Sequence, residues 1–316
     1  MNTTLETADT RAPAAAARDH GMANRLVMLG RRELWEHRGL WLAPLAVAVV
    51  MTAAAIGAAL YFHPQFHAPV DLNWFTAEQR AAAFAGANWS LASPLYLVAY
   101  IVVFFYVCDC LYAERKDRSI LFWKSLPVSD ELTVAAKFLI AAVVVPLGVY
   151  ALAAVTSLVF LAFWNLLVTV GGSPQLRVWD SAAWGRAEWH QLLLVVLTSL
   201  WYAPIYAYLM LISAWARRSL YLWVTLPPTL APLIELLTFR THYLWDFLMY
   251  RSFGMFRIVG FGHSEIGGHH AKVGFPDFGS GHFVAAFTNI DLWLGMLVAI
   301  ALLYVAARIR RYRDDT

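Results

Sequence analysis

The stretch GLWLAPLAVAVVMTAAAIGAALYF, residues 39–62, holds 24 residues and no charged side chain. A helix needs about 20 such residues to cross roughly 30 Å of hydrocarbon. The composition of the whole chain also indicates a membrane protein. The chain is 60% hydrophobic and only 14% charged, which is more apolar than ordinary soluble domains. The sequence therefore predicts an all-α integral membrane protein with six spans, at about 39–62, 84–112, 133–170, 189–216, 219–237 and 288–309.

The fifth predicted span is the least regular of the six. It carries Pro227, Pro228 and Pro232, which remove backbone hydrogen bonds that neighbouring helices must restore. Its single acid, Glu235, follows Ser219 by 16 residues, or roughly 24 Å of helix. Glu235 is thus expected near the outer interface, where it is either solvated or paired, or lines a translocation path.

The segments that flank the spans are expected to be simpler. Residues 1–20 predict a disordered cytosolic tail, and 21–316 a single transmembrane domain. The stretch 21–38 places apolar residues on one side, interrupted by Glu33, and predicts a helix in the membrane interface. The largest outer loop is 238–287, whose apolar first part is expected to pack on the membrane surface or to dip into it.

Basic residues are unevenly divided between the two ends of the predicted bundle. With both termini cytosolic, the inner segments hold 17 of the 24 Lys and Arg residues and the outer loops hold seven. Cytosolic loops are enriched in Lys and Arg, so this orientation is the expected one. The basic excess then serves orientation and contact with anionic lipid, and it predicts no nucleic-acid partner.

Motifs for self-contained chemistry are mostly excluded. A phosphate-binding P-loop ends in Gly-Lys-Ser/Thr, and none of the four lysines follows a glycine. There is also no His-Glu-x-x-His and no Gly-x-Ser-x-Gly motif. The run GHSEIGGHH, residues 262–270, offers metal-ligand side chains, but its spacing matches no common site and favours polar loop residues. We therefore expect no catalytic residues, no bound metal and no cofactor of the chain's own.

The stretch CDCLYAERKDRSILFWKSLPVSD, residues 108–130, combines charges with an aromatic cluster. Seven charges lie in residues 109–124, around the apolar run Ile120 to Trp123. A helix is expected over 114–125, ended by Pro127 and followed by a cap at Ser129 for the third span. Exposing such a cluster to water costs a few kcal/mol. A membrane anchor and a protein interface both explain the cluster, and periodicity does not separate them.

Two stretches resemble the ABC-2-type permeases, the membrane subunits of bacterial ATP-driven exporters. They are LYAERKDRSILFWKSLPVSD (111–130) and LWLGMLVAIALLYVAARIRRYRD (292–314), the second being the last span with its Arg-rich end. An interfacial helix before six spans, and a large loop before the sixth, agree with this family. The resemblance implies a permease that forms the translocation pathway in a bacterial inner membrane. The histidine-bearing loop 262–282 departs from the family pattern.

The resemblance also implies partners and a coupling face. In this family the loop after the second span docks on a separate ABC ATPase, which binds the ATP, and two permease halves pair. We thus expect no enzymatic activity of the chain alone, and a homodimer or a heterodimer with a similar permease. The residues implied to contact the ATPase are Glu114, Arg115, Asp117, Arg118, Ser119, Phe122, Trp123, Lys124 and Ser125.

Two other classes of function remain open from the sequence. An integral membrane enzyme would use the outer histidine cluster, and would contain bound metal. A non-transporting anchor or sensor subunit would form a sealed dimer without a pathway. No feature of the sequence identifies a cargo.

Overall fold

The computed structural model describes residues 11–62, 77–117, 129–170, 181–258 and 280–312, and all secondary structure in these ranges is helical. The helices, in chain order, are α1 (Arg11–Glu36), α2 (Gly39–Phe62), α3 (Ala77–Asp109), α4 (Tyr112–Lys116), α5 (Asp130–Leu139), α6 (Val145–Val170), α7 (Ser181–Trp215), α8 (Leu220–Phe239), α9 (Tyr243–Ile258), α10 (Ser280–Thr288) and α11 (Ile290–Tyr312).

Six segments within the described ranges are long and apolar enough to cross a membrane, as the sequence predicts. They are Gly39–Ala58, Phe84–Lys116, Asp130–Leu167, Ala182–Trp215, Leu220–Phe239 and Ile290–Tyr312. The fifth is helical throughout despite its three prolines. Helices α3 and α7 begin about seven residues before the predicted spans 84–112 and 189–216, because hydropathy marks only the apolar part of a helix.

Several segments outside the spans are also helical. Helix α1 covers residues 21–36 of the expected interfacial segment 21–38, and begins at Arg11, inside the segment expected to form the tail. Within the expected loop 238–287, α9 and α10 are helices that pack on the bundle. Helices α1 and α4 and the last turn of α11 meet at one end of the bundle, which we call the proximal end. The opposite end, which carries α9 and α10, is the distal end.

The third span contains one π-helical turn, Ile140–Val144, between α5 and α6. There the Val145 N–H donates to the carbonyl oxygen of Ile140, five residues earlier. Pro146 explains the turn, since it has no N–H to offer in an α-helical pattern. The irregularity lies one turn beyond Lys137, a residue of the site described below.

The fourth and sixth spans, α7 and α11, share a close interface. Ala203, Ala207 and Ala299 form a buried cluster between them. Small side chains let helix backbones approach closely, which is how membrane helices gain packing energy. A second and larger core of mostly aliphatic residues joins α2, α3, α6 and α7.

Candidate functional site

Three of the nine residues implied to contact an ATPase are described by the structure. Arg118, Ser119, Phe122, Trp123, Lys124 and Ser125 lie outside the described residues. Helix α4 ends at Lys116, and Asp117 leaves helical geometry with φ −87° and ψ 2°. The expected helix over 114–125 is therefore interrupted at its described edge. Asp117 and Lys116 are exposed, so the chain enters the segment 118–128 from a solvent-facing turn.

Glu114 is buried, in contrast to the exposed position expected of a docking residue. Its side chain forms ion pairs with Lys137, at 3.1 Å between Oε1 and Nζ, and with the Nη1 atom of Arg310. Lys137 is 1% exposed and Arg310 is 3% exposed. Glu114 thus connects the second span to the third and the sixth from inside the bundle.

Arg310 contacts the chain on both sides of the segment 118–128. Its Nη1 atom donates to Glu114, which precedes the segment, and its Nε donates to Asp130 Oδ1 at 2.9 Å, directly after it. A guanidinium has several donors in a fixed planar arrangement and can hold two carboxylates at once. One side chain of the last span therefore closes the base of this segment, which we call the root clamp: Glu114, Arg310 and Asp130.

The root clamp continues into α1 through Lys137. The Lys137 ammonium donates to Glu33 Oε1 at 2.6 Å, and Glu33 also accepts from the Tyr106 hydroxyl at 3.2 Å. The ring of His37 packs edge-on against Tyr106 and lies 3.6 Å from the Glu33 carboxylate. The interruption of the apolar stripe of α1 at Glu33 is thus explained, because this side chain enters the bundle.

A separate set of contacts fixes α4 to the fourth span. The hydroxyl of Ser213 accepts from the backbone N–H groups of Leu111 and Tyr112, at 3.1 and 3.0 Å. Arg115 donates through Nη2 to the carbonyl oxygens of Ser213 and Ala216, at 2.6 and 2.8 Å. These carbonyls belong to the last turn of α7 or follow it, where helix ends leave acceptors for a cation.

Negative and positive side chains alternate from one contact of this network to the next. The order is Glu33, Lys137, Glu114, Arg310 and Asp130, so three carboxylates and two cations leave a formal charge of −1. Burial of any one charge alone would be costly, whereas each of these faces an opposite charge. These contacts hold α1, α4, the third span and the sixth span in one arrangement.

A group of possible metal ligands lies beside the network. Glu33, Glu36 and His37 are the members of this group among the described residues. Glu33 already pairs with Lys137, and Glu36 pairs with Arg32 at 2.7 Å. Both carboxylates are therefore engaged with cations of the chain itself.

Glu235 lies at the distal end and caps a helix. One oxygen accepts from the Thr241 hydroxyl at 2.7 Å and the Tyr243 N–H at 2.9 Å, and the other accepts from the Leu244 N–H at 2.7 Å. The N–H groups at a helix start have no partner within the helix, so a carboxylate stabilises them. These contacts give Glu235 a helix-capping role, and both its position at the outer interface and a place in a translocation path stay predictions.

Helix α9 is locked to the bundle by Arg251. Its Nη2 donates to the Trp201 carbonyl at 2.6 Å, its Nη1 donates to the Asp291 carbonyl at 3.2 Å, and it stacks over the Trp201 ring at 4.6 Å. Burial lowers the pKa of Arg251 from its usual value, while Tyr250 and Asp291 oppose this effect. Gly295 makes room for the guanidinium, since a Cβ there would lie 2.2 Å from Nη2.

The sequence did not predict that Lys137, Arg310 and Asp130 form a network of ion pairs. Lys137 and Arg310 are among the basic residues that the sequence assigns to the cytosolic side, and Asp130 follows the expected cap at Ser129. The available signal was the presence of charges next to apolar spans, which are rare and usually paired or functional. Comparison of the chain with protein-family models, with curated proteins and with solved structures finds no match.

Proposed function

We propose that this chain is the membrane subunit of a bacterial ATP-driven exporter of the ABC-2 type, with the proximal end facing the cytosol. In this proposal the chain forms the translocation pathway in the inner membrane and has no enzymatic activity of its own. A separate ABC ATPase binds and hydrolyses ATP, and docks on the segment 114–125. The observation that supports the proposal is the root clamp. Its ion pairs connect the base of that segment to the second, third and sixth spans.

The root clamp supports a coupling role by its geometry. An ATPase that pulls or tilts the segment 118–128 acts on both of its ends, at Glu114 and Asp130. Arg310 holds both ends, so the displacement reaches the sixth span as well as the second and third. A loop that served only as an anchor in lipid would need no such connection. Exposed Lys116 and Asp117 then belong to the docking face, and buried Glu114 transmits the displacement.

Helix α1 supports the proposed orientation in the membrane. Glu33 faces the network, whereas Val27, Met28 and Trp35 are exposed. Apolar side chains on the outer side of a helix that ends at the base of the spans suit the boundary between lipid and water. This position fits the interfacial helix expected before the first span.

Assembly is the second part of the proposal. Six helices form a thin wall around a polar cargo, so we propose that two such chains pair, as a homodimer or with a similar permease. Two-fold pairing is also the commonest symmetry among oligomers.

The decisive experiment measures ATPase association in the native host. The full-length chain is purified from its own membranes in a mild detergent, and vanadate-sensitive ATP hydrolysis is measured with the amount of a P-loop protein that co-purifies. Trp123→Ala is the test variant, and Trp245→Ala, an exposed tryptophan at the distal end, is the matched control. The chain purified alone from a foreign host should hydrolyse no ATP.

We expect about 30-fold weaker association for Trp123→Ala, because a tryptophan anchor contributes roughly 2 kcal/mol and 1.4 kcal/mol corresponds to tenfold. The control variant should bind as the wild type does. A preparation without ATPase would contradict the proposal. So would association that is unchanged when Phe122→Ala and Trp123→Ala are combined, because the segment would then not be the docking site.

A further inference from the structure

A second buried polar cluster lies toward the distal end, between α3, α6 and α7. At its centre Glu188 is 5% exposed. The Oε1 atom of Glu188 accepts from Asn88 Nδ2 at 3.1 Å and from the Ser157 hydroxyl at 3.2 Å. Asn88 also donates to Gln191 Oε1 at 3.3 Å, and Gln191 donates to the Tyr96 hydroxyl at 3.0 Å. Each neighbour in this set is neutral.

The other carboxylate oxygen of Glu188 differs from Oε1 in its contacts. Among the residues that the structure describes, no hydrogen-bond donor reaches its Oε2, although this atom is buried. The titratable groups near the carboxyl from the packed helices are two phenols, Tyr96 on α3 and Tyr150 on α6. On α7 itself, Arg186 is exposed and the ring of His190 stacks on Phe283. No described cation compensates Glu188.

The contrast with the root clamp makes the arrangement informative. In the network that includes the root clamp, Glu33, Glu114 and Asp130 are each compensated by Lys137 or Arg310. A carboxylate that is buried without such a partner is unstable, and neutralises by taking up a cation. A proton needs no cavity, whereas a metal ion needs several oxygen atoms directed at it. Asn88 directs its amide N–H groups, and not its oxygen, toward Glu188 and Gln191.

The position of Glu188 along α7 allows a proton to reach it from the distal side of the membrane. Glu188 precedes Trp215, the last residue of α7, by 27 residues, or roughly 40 Å of helix. The hydrocarbon layer is only about 30 Å thick, so this carboxyl lies near the distal membrane surface. It is far from the root clamp, and belongs to none of the proposed ATPase contacts.

We propose that Glu188 is a proton-binding site, which holds one proton in the conformation of this structure and exchanges it with water on the distal side. Loosening of the contact between α3, α6 and α7 hydrates the carboxyl and releases the proton to solvent. The distal pH thereby sets the relative stability of this conformation. The inference does not require the exporter function.

Stability against pH gives the test, and its sign is defined. An unfolded glutamate releases its proton near pH 4.3. Above that pH, and until folded Glu188 also ionises, the folded state holds one proton more than the unfolded state. Its stability therefore falls as the pH rises. For a chain of 316 residues this slope corresponds to a loss of about 2 °C in the unfolding midpoint per pH unit.

The experiment compares the full-length wild type with Glu188→Gln, a neutral side chain of the same shape. Thermal unfolding is followed in lipid nanodiscs from pH 5.5 to 8.5, in sodium and in choline buffers, with Glu36→Gln on α1 as control. We expect the wild type and the control to lose about 2 °C per pH unit relative to Glu188→Gln, equally in both buffers. Parallel pH profiles for all three proteins would overturn the proposal. Sodium-dependent stabilisation of the wild type and the control, but not of Glu188→Gln, would also overturn it, since a metal ion would then fill the site.

Infrared spectroscopy provides an independent measurement on folded protein. The protonated carboxyl of Glu188 should give a C=O stretching band at neutral pH that Glu188→Gln lacks. The band should persist over the pH range in which the wild type loses stability, and disappear only above that range, where folded Glu188 ionises. An infrared spectrum identical in wild type and variant would contradict the presence of the bound proton.

Discussion

Replacement of Arg310 by methionine should strongly destabilise the proximal end of the protein. The substitution keeps an unbranched apolar stem of similar length, and removes the guanidinium that binds Glu114 and Asp130. Glu114 then retains Lys137, which it shares with Glu33, and Asp130 loses the ion pair to Arg310. The network changes from three carboxylates and two cations to three carboxylates and one cation.

The expected magnitude follows from this imbalance. Removing one partner of a buried ion pair costs about 3–5 kcal/mol, because the remaining charge stays away from water. Unfolding entropy is about 2.1 cal/mol/K per residue, which gives roughly 0.7 kcal/mol/K for 316 residues. The midpoint of thermal unfolding should therefore fall by about 4–7 °C.

Differential scanning fluorimetry of the purified chain in nanodiscs measures this shift, and Arg308→Met is the matched control. Arg308 lies one half-turn away on the same helix, is exposed, and donates only to the hydroxyls of Tyr304 and Tyr312 in the described contacts. We expect its midpoint to move by about 1 °C or less. The double variant Glu114→Gln with Arg310→Met should recover part of the loss, since it removes both partners. A midpoint for Arg310→Met within 1 °C of the control would refute the reasoning.

Two further substitutions test the contacts of α9 and α4. Gly295→Ala should displace Arg251, because the new Cβ would lie 2.2 Å from its Nη2 atom. Hydrogen exchange of α9, residues 243–258, should then become faster. Gly185→Ala is the control and should have no such effect, since a Cβ there meets nothing within 4 Å. Ser213→Ala should cost about 1–3 kcal/mol in chemical unfolding, because the N–H groups of Leu111 and Tyr112 lose their acceptor. Its control is Ser90→Ala, whose hydroxyl donates within its own helix, and equal losses would argue against a special role for Ser213.

The spans could be predicted because their signal is local. An uncharged run such as 39–62 carries its own evidence, and the structure has a helix with those bounds. The proline-containing fifth span was also predicted, because length and hydropathy outweigh three missing N–H groups when the rest of the helix is satisfied. Helices α9 and α10 were harder to place, since neither is long and apolar enough to be recognised as a span.

The ion pairs could not be predicted because their partners are far apart in sequence. Lys137 meets Glu33 across 104 residues, and Arg310 meets Glu114 across 196. From the sequence alone, a basic residue beside a span is equally suited to orientation and to burial in an ion pair. Glu188 was missed for a related reason: the predicted fourth span began at residue 189, so the acid itself defined the edge of the apolar run. The structure places it inside α7 and inside the bundle.

Under the proposed function, the sixth span connects the two ends of the molecule. At the proximal end Arg310 holds the base of the docking segment, and at the distal end Gly295 accommodates Arg251 of α9. Between these points α11 packs on α7 through the alanine cluster, whose close packing favours movement as one body over bending. A displacement of the docking segment would then reach α9 through this pair of helices. Gly295→Ala separates the steps, because it should release α9 while the root clamp, about 15 residues further along the same helix, stays intact.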